Sequence, residues 1–176
     1  MKVETPLKEN KILNLKAGSK IELSGCIYTA RDAAHARLFE LIQDNKKLPI
    51  PLKGQVIYYV GPAPAKPGKV IGSAGPTTSS RMDKFTPCLL QNGLKGMIGK
   101  GKRNEKVKKA IQKYKGLYFA AVGGAAALIA QKIKKAEIVA YPELGPEAIR
   151  KLEVHNFPLI VVNDVYGNDL YEMGAQ

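Results

Sequence analysis

KIELSGCIYTARDAAHARLFELI, residues 20–42, contains the pattern that decides the fold. Its first part, residues 20–30, partly alternates apolar and polar residues and predicts a β-strand interrupted at Gly25. The second part has Asp32 near its start and apolar residues at helical spacing, which predicts an α-helix. A strand that leads directly into a helix is the basic unit of an α/β protein. Arg31 and Asp32 are therefore expected at the corner between strand and helix.

Other strands and helices alternate along the rest of the chain. Apolar runs predict strands at residues 55–60, 70–73, 94–98, 117–122, 138–141 and 159–163. Amphipathic spacing predicts helices at residues 81–92, 104–114 and 125–135. This alternation predicts a single α/β domain over residues 1–176, with a sheet that carries helices on its faces.

Composition and cysteine usage limit the class of protein. With 176 residues, of which 45% are hydrophobic and 24% charged, the chain matches one folded domain of a soluble protein. Cys26 and Cys88 form no CxxC pair, so we expect neither a disulfide framework nor a metal site built from cysteines. Residues 1–11 lack an apolar signal segment, and the longest apolar stretch, residues 117–130, is too short to span a bilayer. We therefore expect a cytoplasmic protein without a membrane partner.

The formal net charge of +13 is the unusual bulk property of the chain. A basic surface of this size is typical of proteins that bind nucleic acid, acidic membranes or acidic partners. Much of the charge lies in residues 100–115 and 131–135, where lysines alternate with apolar residues at helical spacing and favour a solvated helix face. An RNA-binding module is the alternative from another functional class, but bases stack on aromatic residues beside cations, and here Trp is absent and many Tyr and Phe residues fall in predicted strands. We expect no specific nucleic-acid partner.

The segment GPAPAKPGKVIGSAGPTTSSR, residues 61–81, is rich in glycine, proline and serine and predicts a long functional loop. Its second half, residues 72–81, places glycines, hydroxyl side chains and the guanidinium of Arg81 ahead of a helix. Glycines expose backbone N–H groups, a helix amino terminus favours negative charge, and arginine matches a carboxylate. An anion site is one interpretation. A turn in which Thr78 or Ser79 caps the helix is the other.

Two further segments place charged side chains at corners of the fold. GKGK at residues 99–102 follows a predicted strand and brings Lys100 towards the same loop, although it lacks the GxxxxGK[ST] pattern of a P-loop nucleotide site. A plain lysine-bearing turn is the alternative. RDAAHAR at residues 31–37 places Asp32 and His35 about one helical turn apart. This spacing suits a proton-handling pair, or else a capping aspartate with an exposed histidine.

Five sequence blocks, taken together, resemble the class I fumarate hydratase beta subunit, or the carboxyl-terminal domain of the fused enzyme. They are RDAAHAR at residue 31, GPTTSSRMD at 75, LLQNGLKGMIGKG at 89, YFAAVGGAAAL at 118 and PLIVVNDVYGNDLYE at 158. The resemblance runs nearly from end to end, and the order and spacing of the RDxxH, GPTT-R-MD and GKG blocks are more specific than any block alone. The tartrate dehydratase beta subunit shares these blocks, so the resemblance indicates the family more firmly than the substrate.

The resemblance implies a three-layer β/β/α swivelling domain that rests against a larger alpha subunit in a hetero-oligomer. The alpha subunit would hold a four-iron four-sulfur cluster through three cysteines, and its open iron would bind substrate. Cys26 and Cys88 lie outside the matched blocks and cannot supply three thiolates, so no metal ligand is expected in this chain. Alone, the chain would be catalytically incomplete.

The family's substrate contacts, transferred residue by residue, fall on Arg31, Thr77, Arg81 and Lys100, with His35 as a further catalytic candidate. The implied reaction is the reversible hydration of fumarate to (S)-malate, and dehydration of tartrate is the alternative. The cations would bind the two carboxylates and stabilise the charge that develops on them, while the iron would act as a Lewis acid. Thr77 would transfer the proton at carbon with help from a cation such as Arg81; otherwise His35 or a residue of the alpha subunit moves that proton.

Overall fold

The computed structural model describes residues 1–122 and 126–174 of the chain. The strands are β1 (Lys2–Glu4), β2 (Lys20–Thr29), β3 (Val56–Tyr58), β4 (Gly96–Gly99), β5 (Leu117–Ala121), β6 (Ile133–Ala140) and β7 (Ile149–Asn163). The α-helices are α1 (Glu9–Ile12), α2 (Asp32–Gln43), α3 (Thr86–Gln91), α4 (Glu105–Tyr114), α5 (Ala126–Ala130) and α6 (Leu170–Met173), and short 3-10 helices lie at Ser79–Met82 and Pro142–Glu147. Among the helices in these ranges, none combines the length and the apolar character that crossing a bilayer requires.

Five of the strands close into a mixed β-barrel. β2, β3, β4 and β5 lie side by side and run parallel. β7 closes the ring because it runs antiparallel to β5 and also to β2. β1 extends the sheet beside β2, and β6 extends it beside β7. The carboxyl ends of the four parallel strands therefore meet at one end of the barrel.

The barrel strands are buried on both of their faces. In β3, Val56 and Tyr58 belong to the apolar cluster inside the barrel, which all five strands supply. The intervening Ile57 belongs to the second cluster, outside the barrel, where α2, α3 and α4 cover the strands. A strand covered on both faces has a continuous apolar run instead of an alternating one, which explains the sequence VIY. The α/β class is thus confirmed, with a closed barrel in place of an open sheet.

Helix α4 bears out the prediction of a solvated basic face. Lys106, Lys109 and Lys113 are exposed, whereas Val107 and Ile111 on the opposite face are buried. These three lysines therefore lie on the solvent side of an amphipathic helix.

Two predicted elements in the region of the long loop differ from the structure. Residues 70–73 form no strand; they belong to a loop in which Val70 is 48% exposed. The predicted helix at residues 81–92 is instead a 3-10 helix at Ser79–Met82 followed by α3. Pro87 lies in the first turn of α3, where its missing N–H group costs no helical hydrogen bond. The proline therefore lies at the start of a separate helix, whereas the prediction had one continuous helix across this position.

The prediction was also wrong near the carboxyl end. The helix predicted at residues 125–135 ends at Ala130, and β6 begins at Ile133; residue 125 itself lies outside the described residues. β6 pairs only with β7 among the described strands, so it is an edge strand whose lysines stay in solvent. β7 is much longer than the predicted strand at 159–163. Its first half was not predicted, because it contains several charged residues and ends at Pro158, a residue that is rare inside strands.

A buried ion pair joins the two loops that follow β3 and β4. The Arg103 Nε donates to Asp83 Oδ1 at 2.7 Å, and Arg103 Nη2 donates to Thr86 Oγ1 at 2.7 Å. Both Nη atoms lie 3.3 Å from the Tyr59 hydroxyl, while Asp83 Oδ2 accepts from the backbone N–H of Asn104 at 2.9 Å. Burial alone would lower the pKa of Arg103, but Tyr59 and Asp83 outweigh it and raise this pKa, so the guanidinium stays charged. The pair fixes residues 79–83 against residues 100–104.

His35 lies on the buried face of α2. Its side chain is fully buried, and the ring meets Tyr59 edge-on with centroids 5.3 Å apart. The Nδ1 atom lies 2.8 Å from the carbonyl oxygen of Arg31. Because a carbonyl only accepts, Nδ1 carries the hydrogen, and Nε2 is an acceptor without a partner among the described residues. Burial lowers the pKa of His35 from 6.5 to about 4, so the imidazole is neutral near pH 7.

We predict that breaking the buried ion pair destabilises the protein far more than breaking an exposed one. Arg103→Met leaves the Asp83 carboxylate buried without its partner, which costs about 3 to 5 kcal/mol of unfolding free energy. Lys135→Met is the control, because Lys135 is 79% exposed in its 3.2 Å pair with Glu153 and such pairs contribute less than about 1 kcal/mol. Urea unfolding measures both losses. Equal losses would contradict the prediction.

We also predict that His35 makes the folded state less stable in acid. Its folded pKa of about 4 lies below the ordinary 6.5, so between these values the unfolded chain binds a proton that the native state does not. Stability therefore falls as the pH drops through this window, by roughly 3 kcal/mol in total, and levels off below it.

The variant His35→Asn removes this titration while keeping a side-chain N–H that can donate to Arg31. Urea unfolding between about pH 7 and about pH 4 should show a shallower loss of stability in this variant than in the wild type. His155→Asn is the matched control, because it makes the same substitution at a histidine that is exposed. The same slope in the wild type and in His35→Asn would disprove the assignment.

Candidate functional site

The candidate residues lie at the end of the barrel where the parallel strands finish. Arg31 comes two residues after β2, Gly61 comes three residues after β3, and Lys100 follows β4 directly. Because these strands are parallel neighbours, their carboxyl ends bring the three segments to one end of the barrel. Proteins built from parallel strands commonly place their ligands at this end.

Arg31 occupies a slot between two carboxylates. Its Nη2 lies 3.9 Å from Asp32 Oδ2, and its Nε lies 3.8 Å from Glu147 Oε1. Behind it is Gly61, where a Cβ atom would come within 2.9 Å of Arg31 Nη1. Both carboxylates are too far away for a hydrogen bond, and the buried Nε has no partner among the described residues. The guanidinium is therefore held by charge and shape, with donors left for a ligand.

Arg81 shares the same aspartate. It lies on the 3-10 helix at Ser79–Met82, and its Nε donates to Asp32 Oδ1 at 2.9 Å. The side chain of Arg81 is 53% exposed. Asp32 is the first residue of α2, where the helix dipole favours a negative charge. One carboxylate thus contacts both guanidinium groups, although Arg81 lies 49 residues beyond Asp32 in the chain.

Thr77 and Lys100 are joined through the backbone. The N–H of Thr77 donates to the carbonyl of Tyr59 at 2.7 Å, and the N–H of Lys100 lies 3.3 Å from the carbonyl of Thr77. The N–H of Ser79 donates to the carbonyl of Lys100 at 2.9 Å. The long loop therefore returns to the barrel and adds residues 77–79 beside the ends of β3 and β4.

Glycine and tyrosine make this return of the loop possible. A Cβ atom at Gly99 would overlap the side chain of Ser79, so only glycine leaves room there. The Ser79 hydroxyl is buried and lies 2.8 Å from the hydroxyl of Tyr118. The Tyr118 hydroxyl in turn donates to the carbonyl of Gly101 at 2.8 Å, and burial raises the pKa of Tyr118 above its ordinary value. A neutral tyrosine thus connects the loop to the turn that carries Lys100.

The structure brings Arg31 and Arg81 together through Asp32, and Thr77 and Lys100 together through the backbone. His35 lies behind them in the core, so the alternative of an exposed histidine is wrong. Asp32 and His35 form no hydrogen-bonded pair, since Asp32 accepts from Arg81 and the His35 ring bonds to the Arg31 carbonyl. Thr78 precedes the 3-10 helix, but its side chain forms no capping hydrogen bond.

Sequence reasoning missed several residues that shape this end of the barrel. Glu147 comes from the connection between β6 and β7, far along the chain from Arg31, and no local pattern marks it. Arg103 appeared only as one more charge in a basic segment. Asp83 was visible within the GPTTSSRMD block, yet its partner was not. These contacts arise from the closing of the barrel.

Residues 1–122 and 126–174 contain no group of three or more histidine, cysteine, aspartate or glutamate side chains that could hold a metal ion. Cys26 lies on β2 and Cys88 on α3, and both thiols are free. A cluster that requires three thiolates does not fit the residues of this chain.

Comparison with known proteins shows the family. Residues 1–174 match the family model described as Fumarase C-terminus. The chain is 43% identical to "Fumarate hydratase class I, anaerobic" of Escherichia coli (strain K12) over 171 residues, which are 95% of the chain and 31% of that protein. It is 44% identical to "Fumarate hydratase 1, mitochondrial" of Leishmania major over 156 residues, which are 88% of the chain and 28% of that protein.

A shorter relative matches along most of its own length. The chain is 41% identical to the "Putative L(+)-tartrate dehydratase subunit beta" of Methanocaldococcus jannaschii over 172 residues, which are 94% of the chain and 88% of that protein. In contrast, it spans only about a third of the fumarate hydratases that it matches. The chain belongs to the fumarase C-terminus family, together with the carboxyl-terminal part of class I fumarate hydratases.

Proposed function

We propose that the chain is the beta subunit of an iron-sulfur hydro-lyase that reversibly hydrates fumarate to (S)-malate in the cytoplasm. One observation supports this proposal: the segments that carry Arg31, Thr77, Arg81 and Lys100 meet at one end of a barrel whose family includes class I fumarate hydratases. In this proposal residues 1–176 form one three-layer β/β/α domain. The domain swivels against a larger alpha subunit in a hetero-oligomer and encloses the substrate there.

The cations bind the two carboxylates of the substrate in this proposal. Because Arg81 uses its Nε for Asp32, its two Nη groups remain as a fork for a carboxylate. Arg31 has spare donors in its slot, and the exposed Lys100 adds a third positive charge. Removal of a proton next to a carboxylate builds negative charge on that carboxylate. Preorganised donors stabilise this charge more than they stabilise the ground state.

We assign proton transfer at carbon to Thr77. Its hydroxyl forms no hydrogen bond with the described residues and is only partly buried. A threonine hydroxyl is a poor base at neutral pH, so it requires nearby positive charge. Lys100, which is joined to Thr77 through the backbone, and Arg81 on the same loop supply that charge. His35 is buried and hydrogen-bonded to the carbonyl of Arg31, so we assign it the role of positioning Arg31.

We propose that the four-iron four-sulfur cluster is held by the alpha subunit. The two free cysteines of this chain do not make a set of three thiolate ligands. In this arrangement the cluster contributes Lewis-acid chemistry at the substrate hydroxyl. The residues of this chain bind the carboxylates and move the proton.

A tartrate dehydratase beta subunit is the second candidate. The observation that favours it is the 88% coverage of the putative tartrate dehydratase beta subunit at 41% identity. The proposed carboxylate contacts suit both substrates, because fumarate and tartrate are both four-carbon dicarboxylates. Discrimination would then depend on groups that contact the central carbons, including those of the alpha subunit.

Reconstitution tests the proposed function. We predict that the purified chain contains no stoichiometric iron and has no hydratase activity, and that adding the alpha subunit under anaerobic conditions produces fumarate hydration. Iron analysis and absorbance assays with fumarate, malate and tartrate measure these outcomes. A full cluster on the chain alone would contradict the assignment of the cluster to the alpha subunit. Turnover of tartrate without turnover of fumarate would identify tartrate as the substrate instead of fumarate.

Arg81→Ala tests the carboxylate cradle. Loss of one preorganised donor should cost about 2 to 4 kcal/mol of transition-state stabilisation, measured as kcat/KM of the reconstituted enzyme. Arg37→Ala is the matched control, because Arg37 lies on α2 and is also a partly exposed arginine in an ion pair, but it pairs with Glu143 outside the site. Its activity should stay near that of the wild type. Near-normal kcat/KM in Arg81→Ala would rule out the assigned role.

A further inference from the structure

We propose that Asp32 is a positioning residue that holds the guanidinium groups of Arg31 and Arg81 as one unit for a single dicarboxylate. The inference rests on the proposed function and adds a residue to it. Asp32 lies within 2.9 Å of Arg81 Nε and 3.9 Å of Arg31 Nη2. It is therefore the side chain through which the two arginines are linked.

The first contact fixes the direction of Arg81. This side chain is about half exposed on a short 3-10 helix, so solvent alone would leave it free to take several rotamers. The hydrogen bond from Nε to Asp32 Oδ1 selects one direction, and neither Nη group forms a hydrogen bond with the aspartate. An arginine held through Nε keeps its fork for a ligand.

The second contact, between Asp32 and Arg31, stabilises the Arg31 guanidinium without forming a hydrogen bond with it. Asp32 Oδ2 is buried and has no hydrogen-bond partner among the described residues, yet it faces Arg31. Glu147 faces Arg31 from the other side at 3.8 Å, and Gly61 closes the slot. The guanidinium thus lies between negative charges that hold it in place but do not use its donors.

The position of Asp32 on α2 makes it a rigid anchor. As the first residue of the helix, it follows directly on Arg31, which is the amino-terminal cap. His35 ties the same turn to the core through the carbonyl of Arg31. Asp32 is therefore anchored to the core at the same helical turn that positions Arg31.

Kinetics of the enzyme assembled with its alpha subunit test the proposal. Asp32→Ala removes both contacts, and we expect the KM for fumarate to rise about tenfold or more, because the arginines lose their common alignment. Asp32→Asn keeps an oxygen that can accept from Arg81 Nε, so its KM should lie between those of the wild type and Asp32→Ala. The conservative variant thus gives partial rescue, which a general loss of folding would not produce.

Glu143→Gln is the matched control. Glu143 lies on the same 3-10 segment as Glu147 but pairs with Arg37, outside the site. Its replacement should therefore leave KM unchanged. If Asp32 only competed with the substrate for the arginines, Asp32→Ala would lower KM, and this result would overturn the proposal. An unchanged KM, or a larger effect in Asp32→Asn than in Asp32→Ala, would overturn it as well.

A measurement without turnover separates this proposal from the proposed function. In the full chain, NMR should show slow solvent exchange of the Arg81 Nε–H group in the wild type and fast exchange in Asp32→Ala. If the assembled wild-type enzyme hydrates no dicarboxylate, the proposed function fails, while slow exchange still supports the anchor. Fast exchange in the wild type would refute the anchor whatever the activity.

Discussion

The buried ion pair between Asp83 and Arg103 is the interaction on which the functional end of the barrel depends. Burying a guanidinium is costly unless its donors are paired, and here carboxylate, threonine and tyrosine oxygens all accept from it. The pair therefore tolerates little movement. Because Asp83 follows the 3-10 helix that bears Arg81, and Arg103 follows the turn that bears Lys100, it sets the distance between the two segments. The long loop needs such a fixed point, since its hydrogen bonds to β3 and β4 are few.

The charges at the mouth of the barrel differ from this buried pair in one physical respect. The interior pair is saturated with hydrogen bonds, whereas Arg31 Nε, Asp32 Oδ2 and Glu147 Oε1 are buried without partners among the described residues. Buried polar atoms are normally paired, so a group of unpaired ones calls for an explanation. Departures from such local rules, including buried polar atoms without hydrogen bonds, are expected mainly at functional sites. The two unpaired carboxylate oxygens face Arg31, so the unpaired atoms surround the guanidinium that is proposed to bind a substrate carboxylate.

Sequence patterns predicted the elements whose signals are local. β2, α2, β3, β4, β5 and α4 were found because their apolar runs or helical spacings are continuous. The first residues of β6, 133–135, were taken for a helix because an edge strand carries lysines, although residues 138–140 were predicted as a strand. The start of β7 was missed although it closes the barrel. Pairings between distant segments leave no local trace, which also hid Glu147 and the partner of Asp83. The candidate cations came from the resemblance, and the structure explains how they converge, while their roles remain proposals.

The balance of charge at the site bears on the role that the proposed alpha subunit would have. Arg31 and Arg81 contact Asp32, Arg31 also lies beside Glu147, and the exposed Lys100 adds a charge at the same end of the barrel, so these residues together leave a small excess of positive charge. A dicarboxylate brings two negative charges, which exceed what this excess neutralises. Additional positive charge must then come from the opposite side of the substrate, where the proposed alpha subunit would lie. The acids are still required, because without them two neighbouring guanidinium groups would repel each other and separate. A cradle that is aligned but incomplete is thus what an enzyme assembled from two polypeptides requires from one of them.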